Sequence, residues 1–137
     1  IGKIAVPDVV LQKPGRLTEE EFEIIKKHAT DGGRIIEETF GNLGNEEYTR
    51  MAYQVARYHH EKWNGKGYPE GLKAREIPLC ARIMAVADIC DALLASDRPY
   101  KKPMPKEKAF QIMQSMAEEG KLERKIVEYM QACMEEI

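Results

Sequence analysis

The sequence predicts an all-α domain, and three observations carry that prediction. Apolar residues recur at i, i+3 and i+4 spacing along most of the chain, no alternating strand pattern competes, and the breaks fall on clusters of glycine, proline and asparagine. At 137 residues the chain suits one domain with its own core, and 43% hydrophobic with 32% charged content is that of an ordinary globular protein.

The elements follow in order. Residues 1–15 carry Pro7, Pro14 and Gly15 around the apolar group Val9-Val10-Leu11, which reads as the end of one element followed by a structured loop. Thr18 with Glu21 predicts a capping box, Leu17 and Phe22 a hydrophobic staple, and Phe22, Ile25, Ala29, Ile35 and Ile36 the stripe of a first helix that also carries His28. Gly41, Asn42, Gly44 and Asn45 break it. A second helix runs from Glu46 to about Glu61 on Met51, Ala52, Val55 and Tyr58, with His59 and His60 closing it. The glycine-rich loop from Asn64 to about Glu76 can turn sharply and approach a ligand closely. Ile77 to about Ala95 is apolar on more than one face and reads as the central helix, in which a buried Asp88 or Asp91 would need a cation beside it. Residues 97–105 form a charged, proline-broken segment. Glu107–Ala117 and Glu123 to the C-terminus complete about five helices, their methionine-rich stripes assigned to the core.

Composition excludes several classes of function. A net charge of −2 leaves no generally basic surface for nucleic acid, while a compact anionic ligand remains allowed. No apolar run is long enough to span a bilayer, so no membrane contact is expected from this segment. Cys80, Cys90 and Cys133 are odd in number and show no C-x-x-C spacing, which argues against a disulfide framework or a cysteine zinc site and points to a reducing, cytoplasmic setting.

The chemistry is expected at His59-His60-Glu61-Lys62-Trp63-Asn64-Gly65-Lys66-Gly67-Tyr68-Pro69. Adjacent histidines on a helix point about 100° apart, so they suit two neighbouring ions better than one. The alternative is a polar helix end interacting with its last carbonyls. With His28 and Asp88 the pair offers nitrogen and oxygen donors of the kind that bind iron, manganese, zinc or nickel in helical bundles. Such ions polarise phosphoryl oxygens and lower the pKa of a bound water toward about 7.

At this point the chain resembles a known family. His59-His60-Glu61, Asn64-Gly65, Gly67-Tyr68-Pro69, Ile77-Pro78-Leu79, Ala81-Arg82-Ile83, Ala87-Asp88 and Asp91-Ala92-Leu93 look like the HD-GYP domain. Ile1-Gly2-Lys3-Ile4, Pro7-Asp8, Lys13-Pro14-Gly15 and Arg98-Pro99-Tyr100-Lys101 extend the likeness over nearly the whole length. The resemblance implies a helical bundle of the HD-domain type and a metal-dependent phosphodiesterase of bacterial signalling that converts cyclic di-GMP to pGpG and on to GMP. It implies two or three divalent ions (iron, manganese, or zinc or nickel) on His28, His59, His60 and Asp88. It matches Lys3, as a catalytic residue, with Arg98 and Lys101 to the phosphate-holding cations, and Gly67, Tyr68 and Pro69 to the substrate pocket. Arg98 offers a planar fork and Lys101 a point charge, while Tyr68 can stack on guanine. Glu61 is expected to orient a histidine rather than ligate a metal.

The sequence departs from the family at Ile1, since the family's His-Asp pair stands directly before the segment that Ile1-Gly2-Lys3 matches. Residues 1–137 are therefore expected to be one HD-GYP domain without its N-terminal helices and that pair, with an incomplete metal site and impaired hydrolysis. The stretch from Leu93 to Arg98 is also one residue longer than the commonest form. Family members are usually preceded by a receiver, GAF, PAS or membrane sensor module, and a diguanylate cyclase is a further partner that the Gly-Tyr-Pro loop could engage. Competing functions are an inactive module binding a cyclic dinucleotide or a protein, an HD phosphohydrolase for another nucleotide such as cyclic GMP-AMP, and a purely helical dimerisation unit.

Overall fold

A computed structural model gives the fold and describes residues 1–13, 15–42, 46–95 and 104–135. The described residues include five long helices and one single-turn helix. A 3₁₀ turn at Gly2–Ala5 leads into α1 (Asp8–Leu11), then α2 (Glu19–Phe40) and α3 (Glu46–Tyr58), a second 3₁₀ turn at Ala74–Glu76, α4 (Leu79–Leu94), α5 (Lys106–Glu118) and α6 (Arg124–Glu135). Among the described residues the only extended pairing is an isolated antiparallel bridge between Asn64 and Lys73. None of the described helices is long and apolar enough to cross a membrane.

Helix α2 begins where its capping box places it. Thr18 Oγ1 accepts from the Glu21 backbone N–H at 3.1 Å, and Glu21 Oε1 accepts from the Thr18 N–H at 3.2 Å. Two of the helix's unpaired first-turn donors are thus accounted for locally, and Glu19, Glu20 and Glu21 oppose the positive end of the helix dipole. Phe22 turns its ring toward Tyr68 of the later loop, with the two rings edge to face at 5.9 Å.

Helices α2 and α3 pack antiparallel, as the pairing of His28 with His59, Gly33 with Tyr53, and Phe40 with Thr49 requires. The contact is close because Gly32 and Gly33 lie in it. A side chain at Gly33 would meet the Tyr53 ring at 3.0 Å, and one at Gly32 would meet the Gly2 nitrogen at 3.2 Å and Ala56 Cβ at 3.4 Å. The same two glycines therefore seat the N-terminal 3₁₀ turn and helix α3 against α2. Met51 and Tyr48 of α3 stay on the surface at 56% and 76% exposure, so its apolar stripe lines an open groove instead of the main core.

Helix α4 joins the two halves, with α3 on one side and α5 and α6 on the other. The main core lies on the second side, where Val86 and Cys90 of α4 meet Phe110 and Met113 of α5, Leu122, and Val127 of α6. Arg82 ties the same layer together, donating to Glu123 Oε2 at 2.8 Å and to the Ile77 carbonyl at 3.0 Å. The sequence placed α4 at the centre, and its contacts agree. Its aspartates are a correction: Asp88 and Asp91 are both exposed, so neither carries a burial penalty.

Met113 is fully buried in this core. Met113→Ala is expected to lower unfolding free energy by about 2–5 kcal/mol, read from the urea midpoint.

Candidate metal centre and Gly-Tyr-Pro loop

The close packing of α2 on α3 delivers three imidazoles to one point. His28 comes from the middle of α2, while His59 and His60 stand in the turn immediately after α3, with the His59 N–H still reaching the Val55 carbonyl at 3.2 Å. One ligand atom from each of the three lies within 4.8 Å of the others. His28 is 4% exposed, and the other two are half-buried.

The tautomers follow from the backbone. His28 Nδ1 faces the Ile25 carbonyl at 2.5 Å, and His59 Nδ1 faces the Val55 and Ala56 carbonyls at 2.9 and 3.1 Å. In the neutral rings these nitrogens carry the protons, so the two Nε2 lone pairs point into the same space, 3.5 Å apart, with no hydrogen to share. That arrangement is unfavourable by itself and suits a cation. Two nitrogens about 2.0–2.1 Å from one tetrahedral ion are separated by roughly 3.4 Å, and metal-binding histidines commonly donate their other N–H to a carbonyl in this way.

The environment disfavours the charged form of His28 and His60. Burial pushes His60 down to about 3, aided by the charges of His59, His28, Lys3 and Lys62. His28 is also lowered, first by burial, against the opposing effect of its Ile25 hydrogen bond. Both rings are therefore neutral at pH 7. The donor set fits a divalent ion: lone pairs converge, and the opposite ring nitrogens of His28 and His59 are oriented.

Asp88 occupies a different place from the trio. Its residue lines two cavities that His59 also lines, one of them shared with His60, while the tight group among the described residues comprises the three histidines alone. Lys3, on the exposed side of the first 3₁₀ turn, lies near enough for its charge to act on both His28 and His60. Arg98 and Lys101 lie outside the described residues.

The loop after the histidines is built against them. Tyr68 stacks on His60 with centroids 4.9 Å apart and planes 25° from parallel, and its N–H donates to the His60 carbonyl at 3.3 Å. Burial raises the Tyr68 phenol to about 12. One face of this ring is already taken by His60, which leaves less of it for a guanine than the sequence suggested. Gly67 fits only as glycine, since a Cβ there would stand 2.6 Å from Glu61 Cα. Pro69 follows through a cis peptide bond.

Glu61 differs from its expected role. Its carboxylate, 3% exposed, accepts three backbone N–H groups, from Glu70 at 2.7 Å, Gly71 at 3.1 Å and Leu72 at 2.9 Å. It therefore folds the loop back onto its start, and all three of these hydrogen bonds run to the loop backbone rather than to a histidine. Lys62 is the cation that sequence reasoning passed over. It lines a cavity with His59, His60 and Asp88, and its only signal in the sequence is that it directly follows His-His-Glu.

A family model described as the HD domain matches residues 1–126. A cyclic di-GMP phosphodiesterase of Thermotoga maritima is 50% identical over 122 residues, which cover 89% of this chain and 31% of that protein. A protein of Vibrio cholerae named as a cyclic di-GMP phosphodiesterase is 43% identical over 80% of this chain and 22% of its own length. Another from that organism, a 3′3′-cGAMP-specific phosphodiesterase, is 40% identical over 93% of this chain and 23% of its own. The chain belongs to the HD domain family, and with its His-His-Glu and Gly-Tyr-Pro elements to the HD-GYP group within it. It spans less than a third of the length of these relatives.

Glu61→Ala is expected to free the amides of Glu70, Gly71 and Leu72, raising their hydrogen-exchange rates roughly tenfold or more while exchange in α5 and α6 is unchanged.

Proposed function

We propose that this chain is the catalytic HD domain of a metal-dependent phosphodiesterase that hydrolyses cyclic di-GMP to pGpG or GMP in bacterial signalling. The observation that carries the reading is the meeting of two Nε2 lone pairs of His28 and His59, with His60 beside them, at the base of the Gly-Tyr-Pro loop. The names of the similar proteins from Thermotoga maritima and Vibrio cholerae support the substrate class.

In this reading His28, His59 and His60 hold divalent ions, with Asp88 adding a carboxylate from α4. Two or three ions, iron or manganese before zinc or nickel, would supply Lewis acidity toward a phosphoryl oxygen and an acidified water. Lys3 meets the negative charge that develops on the phosphoryl oxygens, and Arg98 and Lys101 hold phosphate from the segment after α4. Gly67, Tyr68 and Pro69 form the wall beside His60 and exclude water from it. Hydrolysis forms one P–O bond to the oxygen of water and breaks the bond to the ribose 3′ oxygen, which leaves with a proton. In this reading the domain acts in the cytoplasm, under a sensor or receiver domain and in reach of a diguanylate cyclase.

A second substrate has a specific observation behind it. The 40% identity to a 3′3′-cGAMP-specific phosphodiesterase over 93% of this chain favours testing that dinucleotide alongside.

The experiment compares this chain with a version preceded by the family's His-Asp pair, each reconstituted without oxygen in Fe(II) or Mn(II). Bound metal and the release of pGpG or GMP are measured together. Metal uptake with turnover of cyclic di-GMP in the extended version, lowered roughly 100-fold by His60→Ala or by a chelator, is the expected result. Metal uptake with cyclic di-GMP left intact rejects the enzyme or its substrate, and turnover of 3′3′-cGAMP alone moves the substrate.

A further inference from the structure

The rings around the candidate centre continue to a residue given no role above. Tyr68 stands 4.9 Å from His60, 6.4 Å from His28 and 5.9 Å from Phe22, the last edge to face. Tyr68 is half-buried and stacked on His60, whereas Phe22, in the first turns of α2, is 42% exposed. Phe22 is thus the ring with surface left for a flat ligand.

Lys26, one turn further along α2, holds its Nζ 4.9 Å from the Phe22 centroid and 5.9 Å from that of Tyr68. Its partner is Glu23 Oε1 at 2.8 Å, and the Glu23 side chain is 67% exposed. Such a solvated pair yields readily to another acceptor. A phenyl face with an ammonium at its side matches a purine that carries acceptors along one edge. Guanine presents O6 and N7 together, while adenine sets its N6 amino donor beside N7 and so opposes a cation. The placement agrees: Phe22 and His28 are six residues apart on α2, about 9 Å along its axis. That separation is comparable with the reach from phosphate to base within one nucleotide.

We infer that Phe22 and Lys26 form a base subsite, in which Phe22 stacks on guanine and Lys26 donates to its O6 and N7. The inference rests on the cyclic dinucleotide reading above. It moves the base platform from Tyr68 to Phe22, and it makes Lys26 the residue that sets guanine against adenine.

The test is equilibrium binding of cyclic di-GMP, 3′3′-cGAMP and cyclic di-AMP to this chain, with a chelator and again loaded with Mn(II). Affinity is expected to fall in that order. Phe22→Leu should weaken all three by about tenfold, and Phe22→Tyr should restore them, since tyrosine keeps the stacking face. Lys26→Met should weaken cyclic di-GMP about fivefold and leave cyclic di-AMP unchanged. Bound metal and amide exchange of the Gly-Tyr-Pro loop are measured on the same samples and should not change. Unchanged affinities in Phe22→Leu overturn the inference, as does an affinity lost only together with faster loop exchange. An equal loss for all three ligands in Lys26→Met overturns it too, because that is the mark of a cation on phosphate. So does absence of binding by all three in both metal states. Failure of the catalytic reading looks different: the base order and its loss in the variants persist while cyclic di-GMP stays intact.

Discussion

The approach of α2 to α3 at Gly32 and Gly33 is the constraint on which the rest of the site depends. With the Tyr53 ring only 3.0 Å from where a side chain at Gly33 would begin, the two backbones pack closely. That spacing brings His28, in the middle of one helix, against His59, just past the end of the other. Their Nδ1 atoms are held by helix carbonyls, so the Nε2 atoms have no direction to face except toward each other. The energetic cost of two opposed lone pairs in a partly dry space is offset when a cation binds between them, so the packing of the helices and the affinity for a metal are linked.

A second link runs through His60 and the residue after it. The His60 ring carries Tyr68 on its face, the His60 carbonyl accepts the Tyr68 N–H, and the adjacent Glu61 carboxylate gathers three amides from the far side of the loop. Among the described residues no cation pairs with this buried carboxylate, and three backbone donors replace its water. The loop and the metal-binding face thus share a two-residue root.

The other half of the molecule supplies rigidity. Val86, Cys90, Phe110, Met113, Leu122 and Val127 form the core that fixes α4 against α5 and α6. Arg82 and Glu123, both largely shielded, join α4 to the start of α6 beside Trp63, and Asn64 reaches the Glu119 carbonyl at 3.5 Å. The loop is therefore anchored to the main core at one end and to the histidines at the other. Asp88 projects from the exposed side of this fixed helix, where it stands apart from the three imidazoles but on the walls of the same cavities.

The sequence by itself determined the helical class, the start of α2 at Thr18 and the break around residue 41, and it singled out the three histidines that the fold brings together. Those features are local: a capping box acts over three residues, and helical periodicity over two turns. Ordered motifs such as His-His-Glu and Gly-Tyr-Pro added the family. Tertiary structure alone decided that Gly33 is a contact and not merely a weak point in a helix, that Asp88 and Asp91 are exposed, that Glu61 binds backbone and not a histidine, and that Lys62 lines a cavity. Each depends on what packs from a distant part of the chain. Periodicity shows which residues share a face but not which face is covered, and a carboxylate's role depends on the nearest donors, here nine to eleven residues away around a loop whose path only the folded chain specifies.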